Sequence, residues 1–321
     1  MRMKNKLPVI AFLLFFCCLI FFPLVFKTPF PRHVLIMVFL YATMGIGWNI
    51  IGGYAGQVSF GNAAFFGVGA YSSAILLVHF GISPWVGMLV GVLLSALLAV
   101  IVGYPCFRLQ GHYFAIATIA VGEIVMVAFL NWNFAGAAVG IYLPILEQSL
   151  KNFEFHTSKL PYYYIIVCIF LFALAVCYFM EKSRWGYYFR AIKNDPDGAC
   201  SLGINIRKYK LYAFILSAVI TSICGTFYAQ YILYIHPSST MDLMMSIQIC
   251  IIVLIGGLGK LFGPVLGAII FVPLTELTRV YLGSQGQGMD FIIYALIIMV
   301  IAIMRPQGLW GVFSREARGT R

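Results

Sequence analysis

Long apolar runs recur along this chain, and they decide its solvent before any motif is considered. A helix of about 20 apolar residues crosses the roughly 30 Å of hydrocarbon in a bilayer. Such runs fall at about 8–26, 33–52, 57–79, 84–104, 112–131, 161–180, 211–234, 245–257, 264–282 and 289–304. The second and third meet at a glycine-rich stretch, and 245–257 is too short to cross alone. Hydrophobic residues make up 62% and charged residues 10% of the 321 positions, against about 45–50% and about 25% in globular domains. Lipid offers the backbone no hydrogen-bond partners, so spans of this kind must be helices. The expected fold class is all-α: a polytopic inner-membrane protein of about ten transmembrane segments, a single domain over residues 1–321. The first run, Leu7–Phe26, follows three bases and precedes no small-x-small cleavage site, so it reads as a retained span rather than a secretory signal.

Charge sets the orientation. With both termini cytoplasmic, sixteen of the 21 Lys and Arg lie inside, and only Lys27, Arg32, Lys151, Lys159 and Arg279 lie outside. This is the positive-inside bias, so the net charge of +11 reflects topology and implies no nucleic-acid partner. None of the eight cysteines falls in an outside loop, and no Cys/His spacing suits zinc or another metal. The five histidines lie near span ends or in outside loops, where interfacial placement explains them.

Two loops carry most of the aqueous surface. The outside loop runs from about 131 to 161, and its segment Glu147–Glu154 is expected to form a short surface helix. The inside loop, about 181–210, reads "EKSRWGYYFRAIKNDPDGACSLGINIRKYK". Asp195 is a good N-cap, Pro196 suits the first helical position, Asp197 favours the positive helix end, and Gly203 offers a left-handed stop. These predict a short helix over about 196–202. Aromatic residues among bases in "RWGYYFRAIK" fit either a segment held to anionic membrane lipid or a docking knob for a cytoplasmic partner.

The stretch "GGYAGQVSFG" at 52–61 tests whether the glycines hold phosphate. No strand precedes them. In "GGLGKL" the P-loop pattern fails, because Leu254 stands five residues before Gly259 and Leu261 follows Lys260. The dinucleotide fingerprint near Gly45 and Gly47 lacks its third glycine. The chain carries no recognisable ATP site, and no catalytic constellation or paired carboxylates. "GGYAGQVSFGNAAFFGVGAY" at 52–71 and "GGLGKLFGPVLGAIIF" at 256–271 each join an inward-running span to an outward-running one. Glycine-interrupted segments repeated in two halves point to a transport pathway. The polar residues Asn49, Gln57, Ser59 and Asn62 crowd this first break. Glu123 lies mid-span, where an ionised side chain costs about 2.5–3.5 kcal/mol on insertion scales. It is either protonated and bonded to a neighbouring helix or set in a wet pathway. Glu276 and Arg279, three apart on one helix face, read as a local pair.

Four ordered blocks carry a family likeness: "GWNIIGGYAGQVSFGNAAFFGVGAYSSAIL" from Gly47, "RLQGHYFAIATIA" at 108–120, "RAIKNDPDGACSLGIN" at 190–205 and "IVLIGGLGKLFGPVLGA" at 252–268. Over about residues 40–310 the chain resembles the LivM-type permeases, membrane subunits of ABC importers for branched-chain amino acids, with urea and amide importers as relatives. The resemblance implies a multi-pass protein of the bacterial inner membrane. Its implied partners are a LivH-like second permease, two cytoplasmic ATPase subunits that bind the ATP, and an external solute-binding protein. It also implies that the inside loop docks on the ATPase, which carries over to Arg190, Ala191, Ile192, Leu202 and Gly203. Where the family often has Glu-x-Ala-Ala, this chain has Pro196-Asp197-Gly198-Ala199, so docking would run through Asp195 and Asp197. A reading of another class remains: an ion-coupled secondary transporter with Glu123 as proton carrier.

Overall fold

A computed structural model describes residues 28–109, 111–155, 158–282 and 308–309. The expected spans at 8–26 and 289–304 lie outside the described residues. The other apolar runs become helices: α1 (Pro29–Asn49), α2 (Asn62–Phe80), α3 (Pro84–Cys106), α4 (His112–Leu130), α5 (Leu160–Lys182), α8 (Ile206–Ile232), α10 (Leu243–Gly256) and α11 (Gly263–Leu282). Between α5 and α8 stand two short helices, α6 (Arg184–Asn194) and α7 (Pro196–Ser201), and before α10 stands α9 (Pro237–Thr240). Eight helical stretches among the described residues are long and apolar enough to cross a membrane. The 14 residues of α10 rise only about 21 Å. They reach spanning length only when α9 is counted with them, over Pro237–Gly256.

Punctuation follows the sequence. Proline opens the first turn of α1, α3, α5, α7 and α9, where its missing N–H removes no helical bond. α2 stops at Gly81, which takes the left-handed conformation at φ 64°.

The 27-residue α8 is the central post, packed against α1, α2 and α3. Its crossing with α2 is close enough that backbones touch. A Cβ on Gly225 would lie 1.9 Å from the Phe66 carbonyl oxygen, and Thr226 Oγ1 donates to the Gly69 carbonyl at 2.9 Å. α3 turns a stripe of small residues inward (Gly87, Gly91, Ser95, Ala99 and Gly103), as helices do when close van der Waals packing must replace the hydrophobic effect. Its opposite face leaves Leu89, Leu93, Leu97 and Ile101 exposed, as lipid contact requires. A second group, α1 with α5, α10 and α11, joins the first through α1 and α8.

The loops sort to two ends. One end gathers residues 52–61, 107–109, 182–206 and 257–262 and, with them, Arg108, Arg184, Arg190, Lys193 and Lys260; we call it the basic end. The opposite end carries a two-residue antiparallel ladder, β1 (Ile141–Tyr142) with β2 (Tyr234–Ile235), and Ser83 Oγ donating to the Lys151 carbonyl at 2.6 Å. There the expected helix over 147–154 is corrected to turns. Phe153 adopts φ 57°, Ser149 and Glu154 form an isolated bridge, and the buried Glu154 carboxylate accepts the Leu146 N–H. Satisfying that buried carboxylate with backbone N–H outweighs local helix propensity.

Candidate functional site

α1 does not end cleanly. Its last turn widens to a π-helical turn over Ile50–Tyr54, and the chain then runs without regular structure from about 55 to 61 before α2 begins. The glycines explain the break sterically. A Cβ on Gly52 would sit 2.4 Å from the Trp48 ring, and one on Gly53 only 1.9 Å from Asn49 Oδ1. Trp48 can therefore fold back and donate from Nε1 to the Ser59 carbonyl at 2.7 Å.

The expected polar residues are not equivalent. Asn49, Ser59 and Asn62 are fully buried, whereas Gln57 is half-buried. Asn62 Nδ2 donates to Ser217 Oγ on α8 at 3.0 Å, and the Ala63 N–H donates to Ser246 Oγ on α10 at 2.9 Å. Asn62 Oδ1 has no partner among the described residues. The Ser59 hydroxyl accepts the Gly61 N–H at 3.3 Å, and the Phe60 N–H donates to Thr118 Oγ1 on α4 at 3.1 Å. The start of α2 is thus tied to α4, α8 and α10 at once.

Asn49 reaches further. Its Nδ2 donates to the Lys260 carbonyl at 3.0 Å, and its Oδ1 accepts the Gly259 N–H at 2.9 Å. Gly259 holds φ 71° in the turn between α10 and α11, a conformation that suits glycine. The two glycine-interrupted segments, over 200 residues apart, therefore meet, with Asn49 as the bridge.

The basic-end helices grip the same junction. Ser183 caps α6 by accepting the Trp185 N–H at 3.2 Å, and Asp195 caps α7 by accepting the Gly198 N–H at 3.0 Å. Gly203 follows at φ 81°, and Asn205 caps α8. Lys193 on α6 donates from Nζ to the Gly53 carbonyl at 2.7 Å. Burial, and then the neighbouring Lys260, hold its ammonium below the ordinary lysine range. Arg190 pairs with Glu181, whose other oxygen accepts the Tyr54 hydroxyl at 3.1 Å.

The residues expected at the ATPase contact divide accordingly. Ile192 is buried and anchors α6, and the Asp195 carboxylate serves as a helix cap. Ala191 is partly covered, Arg190, Asp197 and Gly203 are exposed, and Leu202 stands out at 82% exposure. Asp197, Gln57, Arg108, Arg207 and Lys210 line an open cleft of about 840 Å³ between α7 and the turn at Phe107–Leu109. Glu123 lies elsewhere. It is half-exposed on α4, the least covered of the eight spans, and makes no hydrogen bond or ion pair among the described residues.

A family model described as the permease component of branched-chain amino acid transport systems matches residues 30–301. The chain belongs to this family. The permease is 28% identical to the high-affinity branched-chain amino acid transport permease LivM of Escherichia coli (strain K12) over 301 residues, covering 85% of this chain and 68% of that protein. It is 26% identical to the LivH permease of Salmonella typhimurium over 289 residues, 84% of this chain and 91% of that one. A probable LivM permease of Methanocaldococcus jannaschii is 22% identical over 323 residues, 86% and 92% of the two chains. No solved structure matches the permease. Sequence reasoning missed Lys193, Glu181 and Tyr54, which fasten α6 to the junction. The spacing of Gly186, Phe189 and Ile192, all buried on α6, is the signal that would have exposed that helix.

Proposed function

We propose that this chain is the membrane-spanning subunit of an ABC importer in a bacterial inner membrane. It would move branched-chain amino acids with ATP bound and hydrolysed by two partner ATPases at the basic, cytoplasmic end. A LivH-like second permease and an external solute-binding protein would complete the assembly. Family membership and the names of the relatives support the transport reading. One observation carries the coupling: α6 is fastened directly to the broken end of α1 through Lys193 and the Gly53 carbonyl.

An engine working on the α6–α7 knob would move that carbonyl without intermediate elements. The tip of the knob is Leu202, an apolar side chain with no packing role that a partner protein would cover. Tyr54, Glu181 and Arg190 form a second tether beside Lys193, so a pull on α6 would reach the whole π-helical turn. Asn49 would pass the movement to the turn between α10 and α11. α4, sparsely covered and carrying Glu123, would face the second permease, since a half-exposed carboxylate against lipid is costly.

Deleting 196–202, or making Gly203→Pro, is the direct test. Proline fixes φ near −65°, where Gly203 needs 81°. Membrane insertion should persist while ATP-driven uptake in vesicles is lost. Normal uptake by either variant would refute the coupling role. Uptake by this chain alone in liposomes, abolished by a protonophore and indifferent to ATP, would establish the ion-coupled alternative instead.

A further inference from the structure

A second cleft, of about 290 Å³, opens at the end opposite α6, between α1, α10 and α11. Its size lies at the lower edge of the roughly 300–1,000 Å³ of small-molecule sites, room for a small solute and not for a nucleotide.

Its polar groups carry both signs. Glu276 is buried, yet among the described residues its carboxylate is loosely partnered: the Arg279 guanidinium is 3.7 Å away and His33 Nε2 is 3.9 Å away. A carboxylate taken out of water needs a close, hydrogen-bonded cation to offset its desolvation, and neither contact is short enough to supply one. The Arg279 side chain is 69% exposed, so its fork of donors stays open to a carboxylate. Asp242 occupies the N-cap position of α10, where aspartate ordinarily accepts a backbone N–H, but its side chain caps nothing. It lines the cleft instead, beside Gln248.

The remaining wall is apolar and soft. Met37, Leu40, Met245, Phe271 and Val272 face the same space, and thioether side chains adapt to aliphatic groups of differing branching. Two carboxylates and one guanidinium above such a wall form the complement of a zwitterion bearing an aliphatic side chain. An anion would meet the carboxylates, and a neutral amide would leave the Asp242 carboxylate without a cation and the Glu276–Arg279 pair no better partnered.

We propose that this cleft is a substrate site on the outer side of the permease, binding an aliphatic α-amino acid. Asp242 and Glu276 receive the ammonium, Arg279 the carboxylate, and the Met37–Met245–Phe271 wall the side chain. The proposal rests on the amino-acid transport reading above.

The test is equilibrium binding of radiolabelled leucine to the transporter, copurified through a tag on this chain and held in nanodiscs without the solute-binding protein. Isovalerate, isoamylamine and urea serve as competitors. Leucine should bind, with none of the three competing at equal concentration, because each lacks one or both charges. Arg279→Ala and Asp242→Asn should weaken binding about tenfold or more. Met244→Trp, which adds bulk at the rim from a side chain already 41% exposed, should block it without altering charge or core packing. Leucine binding unchanged in all three variants, or displaced equally well by isovalerate or urea, would overturn the assignment. ATP-driven leucine uptake by the unmutated transporter, measured in parallel with its binding protein, separates the two readings. No leucine uptake refutes the amino-acid reading and the cleft with it. Normal uptake with no leucine binding, or with binding unchanged by the substitutions, refutes the cleft alone.

Discussion

Asn49 should be the most sensitive single side chain at the glycine junction. It is fully buried and uses both ends of its amide, donating to the Lys260 carbonyl and accepting the Gly259 N–H. Asn49→Ala removes both partners together. Each buried backbone group left unsatisfied costs about 1–3 kcal/mol, which gives about 2–6 kcal/mol for the pair. Gly259 is half-covered and Lys260 exposed, so water can reach part of the turn and the expected loss lies in the lower half of that range. Asn49→Asp keeps the acceptor for Gly259 but sets an oxygen against the Lys260 carbonyl, so it should not rescue. Unfolding of the detergent-solubilised chain by denaturant, followed by tryptophan fluorescence, reads the effect, because Trp48 packs on Gly52 beside the bridge. If Asn49→Ala unfolds within about 0.5 kcal/mol of the parent, the range of an ordinary surface change, the two glycine segments are not held together by Asn49.

Two further substitutions test the frame and the pathway. Gly225→Ala places a methyl group 1.9 Å from the Phe66 carbonyl oxygen. Because neither backbone can yield there, it should cost at least the roughly 1–3 kcal/mol of an overpacked core, read as a lower unfolding midpoint. An unchanged midpoint would mean that α2 and α8 are not in backbone contact. Glu123→Gln should alter the uptake rate while leaving the unfolding midpoint nearly unchanged, since Glu123 makes no hydrogen bond or ion pair among the described residues. The reverse pattern would make Glu123 a helix-packing residue.

Most of the helical frame was legible because lipid leaves the backbone few options, and runs of 19 to 27 residues announce themselves. The α7 cap was equally plain: Asp195, Pro196 and Gly203 each have one conformational use, and each is used that way. α6 was hidden because its apolar face is narrow, Gly186, Phe189 and Ile192, among aromatics and bases that equally suit a membrane surface. The segment 147–154 does not form its expected helix, because the buried Glu154 binds the Leu146 N–H. That demand belongs to the folded loop and leaves no periodic trace. The pairing of Asn49 with Gly259 was beyond any sequence argument, since it joins a side chain to a backbone N–H 210 residues away.

The smaller cleft is mechanically related to the glycine junction through shared helices. The part of α1 far from the basic end supplies Met37, Leu40 and Tyr41 to the smaller cleft, and its basic end runs into the π-helical turn that Lys193 holds. α11 repeats the arrangement. It starts at Gly263, directly after the turn that Asn49 bridges, and brings Glu276 and Arg279 to the cleft about 20 Å further along. A displacement of α6 would therefore act at the basic ends of the two helices whose far ends line the proposed substrate site. α10 is too short to span the bilayer, and the glycines at 256, 263 and 267 pack it against α11 so closely that a Cβ on Gly256 would lie 1.7 Å from the Gly263 carbonyl. It would follow α11 as one body. On this geometry the walls of the site separate or close according to whether α1 and the α10–α11 pair pivot together or apart. Asn49, the side chain that joins them, would set which.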